Sequence, residues 1–419
     1  MSEFDTLLAK YTEKGNAKIH GALCKCVDKN GKFILLADVL LLLYTQLLNK
    51  TGIEMYSKTS GYNSVSVDAA PLREDCVLKI ASATKLIASV ALLQCVEKGL
   101  IGLDEPLTKI LPELDGKNIL KAGSDNNLDF EPSKNKITAR HLLSHTSGLG
   151  YPFTNPLLMQ WKATPAGQQY KDSLRVTEKY NMPLVFEPGT GWLYGCGLDW
   201  AGVVVRRLHN GTSLEDYAIE NIWRKVGLSD PFPTFHISKD QDYSSRLMGG
   251  AERGSDRSLQ PHNFWFLDNP EDPEGGCGLS CTAKDYLAVL GDLISDSPRL
   301  LKPETIAMMF TPQLVAGSPA MSMLLQLRPA WVTVSGPISD DAVNHGLGGL
   351  LLTGEVEEIG QPKGLLAWGG ASNIVWFASR ELGVAGFFGT QISPFGDPAA
   401  NELINAWKKD FWSKYNTKT

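Results

Sequence analysis

Strand-like runs stand at both ends of this chain, and helical runs fill its middle. Near the start, GALCKCVD (21–28) and IEMYSKTS (53–60) alternate in part with period two and sit beside turns. Near the end, residues 364–368, 373–379 and 382–389 are short runs rich in Leu, Ile, Val and Phe. Gly-Gly and Arg380-Glu381 separate them, as in an antiparallel meander. Between these ends, 86–98, 138–143, 198–208, 214–226, 282–295 and 303–310 read as helices, and 398–415 closes the chain as another. Thr138 is an expected N-cap. This order predicts an α+β fold in which both chain ends build one sheet. Residues 1–75 and 335–419 would form that lobe, and 76–334 a mainly helical lobe with cleft-lining loops. A cleft between lobes is a common place for a small-molecule site.

A chain of 419 residues, 43% hydrophobic and 21% charged, has the composition of a folded protein and needs no disulfide or metal staple. Its net charge of -6, with no run of Lys or Arg, argues against a nucleic-acid partner. Seven cysteines lie mostly in apolar stretches, which suits a reducing, cytoplasmic setting. Cys24 and Cys26 share a strand face, but no second close pair has zinc spacing, and Cys277 and Cys281 have no His nearby in sequence. His141 and His145 are four apart, yet position 142 is Leu rather than the Glu of a zinc helix, so both read as structural. No metal and no cofactor are expected.

The first 16 residues read as a short amphipathic helix rather than a signal peptide. FILLADVLLLLYTQLL (33–48) is the most apolar stretch, but Asp38 interrupts it and it is shorter than the roughly 20 residues of a membrane span. If Lys32 to Gly52 is removed, Gly31 joins Ile53 and a hairpin with Asn-Gly at its turn results. We therefore read 32–52 as retained intron sequence or a recent insertion; the rival is an apolar helix that covers the cleft or docks a partner. Deleting 32–52 is expected to leave ester turnover intact and solubility equal or better; an unfolded deletion variant contradicts the reading.

The chemistry centres on Ser82-Ala83-Thr84-Lys85, an S-x-x-K at the start of the 86–98 helix, just after Val77-Leu78-Lys79-Ile80. A spacing of three puts Ser82 and Lys85 on one helix face. A serine hydroxyl needs a neighbour to take its proton, and a lysine whose pKa burial lowers can do so. The motif alone is weak, because a solvated lysine on a helix gives the same letters. Tyr194-Gly195-Cys196 follows a turn, Glu187 to Gly191, and a tyrosine there can shuttle a proton. A core tyrosine is the plainer alternative. Trp368-Gly369-Gly370-Ala371 lies between strand runs, where glycines admit a close backbone approach and a following N–H can donate to an oxyanion. A hairpin turn is the plainer alternative there. G-x-S-x-G is absent, which disfavours an α/β-hydrolase.

Six stretches in order resemble the serine β-lactamase and penicillin-binding superfamily, on its class C and esterase side. They are ASATKLIASVALLQCVEKGLIGLDEPL (81–107), ITARHLLSHTSGLGY (137–151), EPGTGWLYGCGLDWAG (187–202), GGCGLSCTAKDY (275–286), HGLGG (345–349) and WGGASNIVW (368–376). Within it the chain is most similar to fungal acyltransferases and transesterases of the lovastatin type. The resemblance implies Ser82 as nucleophile, Lys85 as its general base, Tyr194 as the catalytic tyrosine, and the N–H groups of Ser82 and Ala371 as oxyanion hole. It makes Tyr151, Trp368, Gly369 and Gly370 candidate substrate contacts. Trp368-Gly369-Gly370 stands where β-lactamases carry Lys-Thr-Gly, and Cys196 where they carry Asn; both departures weaken an antibiotic-hydrolysing reading.

The expected activity is acyl transfer from an ester or thioester to an alcohol, or to water, in fungal secondary metabolism. Tyr151, Phe153, Trp161, Trp192, Trp368 and Trp376 suggest a hydrophobic acyl group or polycyclic acceptor, with an acyl-carrier protein as a candidate donor. The alternative is a catalytically silent binding or scaffold relative.

Overall fold

All eight residues of Gly21–Asp28 are buried, so this strand has to be central, covered on both faces and paired on both edges. It pairs antiparallel with Ile53–Gly61 on one side and with Val384–Gly389 on the other, Cys24 lying opposite Lys58 and Phe388. The computed structural model describes residues 2–29, 53–169, 172–264 and 270–416. The segment read as an insertion lies outside them.

Seven strands form the main sheet in the order Ile53–Gly61, Gly21–Asp28, Val384–Gly389, Ile374–Ser379, Leu365–Gly370, Leu350–Leu352, Val343–His345. Every neighbouring pair is antiparallel. The two chain ends thus meet in one sheet, as the α+β reading expected. Side chains alternate across the pleat. Phe387 meets Tyr286 of the helix Ala283–Leu293, with ring centroids 5.3 Å apart, while Phe388 meets Trp407 of the helix Pro398–Asn416 at 5.8 Å. Helices therefore cover both faces of the sheet. Phe377, Trp407 and Trp412 are fully buried on one of them. Each such side chain contributes roughly 1.5–3 kcal/mol by leaving water.

The helix Thr84–Glu97 is buried nearly all round, from Thr84 to Cys95, as a helix with apolar residues on every face must be. Its approach is fixed by a two-stranded ladder, Val77–Lys79 against Ser280–Thr282, with Val77 opposite Thr282 and Lys79 opposite Ser280. A single 3-10 turn, Ala81–Ala83, joins that ladder to the helix and holds Ser82. Thr138 caps Ala139–Leu143 as expected: its hydroxyl accepts from His141 N–H, and its own N–H donates to His141 Nδ1, both at 3.3 Å. The run 214–226, read as one helix, is an α-helical turn over Leu214–Ala218 followed by a wider π segment over Ile219–Trp223. Among the described residues no helix is long and apolar enough to cross a membrane.

Candidate active site

Ser82 follows Ala81, which sits at φ 48°, a left-handed conformation that costs a non-glycine residue energy. Tight packing imposes it. Gly370 lies against this turn, where an added Cβ would come within 2.2 Å of the Ile80 carbonyl oxygen. At Gly369 an added Cβ would meet the Ile374 carbonyl oxygen at 2.2 Å. Both glycines, read as room for a substrate, are thus required by the protein's own backbone. Their tight fit brings Ala371 beside Ala81, where the two join a small apolar cluster with Phe264 and Cys277.

The structure brings Ser82, Lys85 and Tyr194 together from two separate stretches of sequence. The Tyr194 hydroxyl donates to Ser82 Oγ at 2.5 Å, and Lys85 Nζ donates to the same oxygen at 3.4 Å. Lys85 is only 2% exposed. Its other two donor bonds go to the Tyr151 hydroxyl at 3.1 Å and to the Gly276 carbonyl at 2.8 Å. Burial pushes the Lys85 ammonium down, but Tyr194 and Asp199 outweigh it, and the net direction is up. This corrects the expectation of a lysine neutralised by burial: Lys85 rests as a cation.

Tyr151 is nearly buried, and its hydroxyl points inward, donating to Asp199 Oδ2 at 2.7 Å. Phe153 stacks on its ring at 5.3 Å and is itself 64% exposed, so it is the aromatic at the mouth. Trp368 packs on Tyr194 with ring centroids 5.3 Å apart. Trp192 and Trp376 do not belong to the cleft: both are fully buried core residues, Trp192 against His145 and His345, and Trp376 against Tyr286. His145 is buried edge-on to Tyr194 at 5.1 Å, and burial pushes its imidazole down, as it does for His345. Both rings are neutral walls, so Lys85 supplies the positive charge beside Ser82.

The sequence reading overlooked Asp199 and Gly276. Asp199, in the first turn of the helix Gly197–Leu208, is fully buried. Burial raises its carboxyl and Lys85 draws it part of the way back, for a net rise to about 6, below neutral pH. Behind it a second buried carboxylate, Glu274, accepts from the Tyr180 hydroxyl at 2.7 Å, from Lys179 and from the Cys277 thiol at 3.2 Å. A clue was available: an Asp inside the apolar run GLDWAGVVV has to find a partner when buried.

A nucleophilic hydroxyl, a tyrosine within hydrogen-bond reach and a buried cation make a constellation fit for acyl transfer. Residues 47–407 match a family model described as Beta-lactamase. The chain is 61% identical over 417 residues to Acyltransferase calJ of Penicillium decumbens, covering 100% of this chain and 99% of that protein. It is 32% identical over 416 residues to Lovastatin esterase of Penicillium rubens, covering 95% and 96%. Among solved structures, a mutant of simvastatin synthase from Aspergillus terreus superposes with a TM-score of 0.84 at 30% identity, covering 99% of this chain and 95% of that one. With most of its length matched by the family model and all of it by an acyltransferase, the chain belongs to the β-lactamase family, as an enzyme of its acyltransferase side.

Proposed function

We propose that this enzyme forms an acyl-serine on Ser82 from an ester or thioester and passes the acyl group to a hydrophobic alcohol, or to water. The observation that carries the proposal is the 2.5 Å contact between Tyr194 Oη and Ser82 Oγ beside the Lys85 ammonium. In the reactive form Tyr194 has released its proton to solvent, and the Lys85 ammonium offsets the charge of the phenolate. In the first step Ser82 Oγ bonds to the acyl carbon and its proton passes to that phenolate. The carbonyl oxygen becomes an oxyanion, held by the N–H groups of Ser82 and Ala371. The tetrahedral adduct collapses, and the leaving oxygen or sulfur takes the proton from Tyr194. An acceptor hydroxyl then repeats the sequence in reverse, losing its proton to Tyr194 as it attacks the acyl-serine.

Alcohol and water differ only in what reaches the acyl carbon, and the likeness to both an acyltransferase and an esterase supports either outcome. Exposed Phe153, stacked on Tyr151, favours an apolar acyl chain or a polycyclic acceptor. The donor is a small thioester or ester, or an acyl chain presented by a carrier protein. Buried cysteines with free thiols, among them Cys24, Cys76, Cys95, Cys196, Cys277 and Cys281, support a reducing, cytoplasmic setting. The test is the ratio of acyl transfer to hydrolysis with a candidate alcohol present. A ratio that rises with alcohol concentration supports a transferase. A p-nitrophenyl ester that is never turned over, with or without alcohol, contradicts the whole reading.

Nitrocefin turnover is expected to be far below ester turnover. Trp368 offers no cation for a β-lactam carboxylate, and the Cys196 thiol turns to the Gly150 carbonyl at 3.7 Å. Nitrocefin hydrolysis as fast as that of a p-nitrophenyl ester overturns this prediction.

A further inference from the structure

Lys85 has three protons to donate, and the structure gives each a destination: Ser82 Oγ, the Tyr151 hydroxyl and the Gly276 carbonyl. The two acceptors other than serine are themselves held by one carboxylate. Asp199 Oδ2 accepts from the Tyr151 hydroxyl at 2.7 Å, and Asp199 Oδ1 accepts from the Gly276 N–H at 2.9 Å. The hydroxyl of Tyr151 therefore donates to Asp199 and accepts from Lys85, which uses it as a fixed link between an anion and a cation. Space is fitted to the same end. An added Cβ at Gly276 would lie 2.4 Å from Asp199 Oδ2 and 2.5 Å from the Tyr151 hydroxyl oxygen. Cys196, which stands one turn before Asp199, directs its thiol to Gly150 and away from the lysine.

We propose that Asp199 and Tyr151 are a positioning pair for the acylation step, holding the Lys85 ammonium at Ser82 in the absence of a side-chain amide at position 196. This rests on the acyl-serine reading above. The other titratable groups facing Lys85 are Tyr194, Cys196 and Cys277, with His145 on the far side of Tyr194. Burial holds the two thiols protonated and the imidazole neutral, so Asp199 is the fixed negative charge of the set. Glu274 lies further out, behind Cys277.

The experiment is single-turnover acylation by a p-nitrophenyl ester across pH, on the full chain. Tyr151→Phe removes one oxygen and keeps the ring. Asp199→Asn removes the charge and keeps an acceptor. Each is expected to slow acylation about 10- to 100-fold, as lost orienting partners do, with a much smaller change in KM. Without the Asp199 charge the ammonium loses its proton more readily, so the alkaline limb of the Asp199→Asn profile moves to lower pH. Folded variants with the wild-type rate and profile overturn the proposal. So does a rate loss that only tracks the unfolded fraction while the profile stays put. A Ser82→Ala control separates the two layers. A burst that persists there removes the acyl-serine reading and this proposal with it. A silent control beside unchanged Tyr151→Phe and Asp199→Asn removes the positioning pair alone.

Discussion

Ser82→Ala is expected to abolish the acylation burst with p-nitrophenyl esters, a loss on the order of 10⁴-fold or more in turnover. Ser82 Oγ is where the Tyr194 and Lys85 donors converge. The fold should survive. Alanine suits the 3-10 turn that already places Ala81 and Ala83 on either side, and the lost hydrogen bonds are worth about 1 kcal/mol each. Melting temperature and circular dichroism should therefore stay close to wild type while the burst disappears. Wild-type ester turnover by the alanine variant contradicts the serine mechanism.

Tyr194→Phe and Lys85→Ala are each expected to cost at least about 10²-fold, the range of lost acid–base groups. They should differ in what they do to stability. Phenylalanine keeps the packing of residue 194 on Trp368 and His145, so the loss is confined to rate. Removing Lys85 leaves the buried Tyr151 hydroxyl and Gly276 carbonyl without their donor and takes away the cation that draws the Asp199 carboxyl down, a loss of about 1–3 kcal/mol. The pH dependence has a definite sign. Asp199 has its folded pKa raised from 3.8 to about 6, so the folded state binds this proton more tightly than the unfolded one. Its ionisation removes stability as pH rises from about 4 through about 6. Without Lys85 the folded pKa rises further, so the deficit of Lys85→Ala should shrink in acid and grow toward neutral pH. Urea unfolding of both variants at pH 5 and pH 7.5 measures this; a deficit that is larger in acid contradicts it.

What could be read from the amino acids was whatever is local or strongly patterned. The buried strand Val384–Gly389, which carries Phe387 and Phe388, was legible because an apolar run bounded by turns leaves few alternatives. Ser82 and Lys85 were legible because a helix start fixes their spacing. Val343–His345 and Leu350–Leu352 were not, since three residues each show no periodicity; the sheet edge selects them. The links from Lys85 to Tyr151 and to Gly276 span 66 and 191 residues, and no local rule connects them. Trp192 and Trp376 were misplaced in the cleft because an aromatic's burial depends on which side of its strand or turn faces the core. The titration of Lys85 was misjudged for the same reason: burial alone argues downward, and only the tertiary structure supplies Asp199 and Tyr194.

The most direct measurement is peptide mapping by mass spectrometry after a brief incubation with an acyl thioester and an acid quench. One acyl adduct per chain is expected, on Ser82, discharged when a competent alcohol is added before the quench and absent from Ser82→Ala. An adduct that maps to Cys196, Cys277 or another residue, or turnover with no acyl-enzyme at any time, contradicts this expectation.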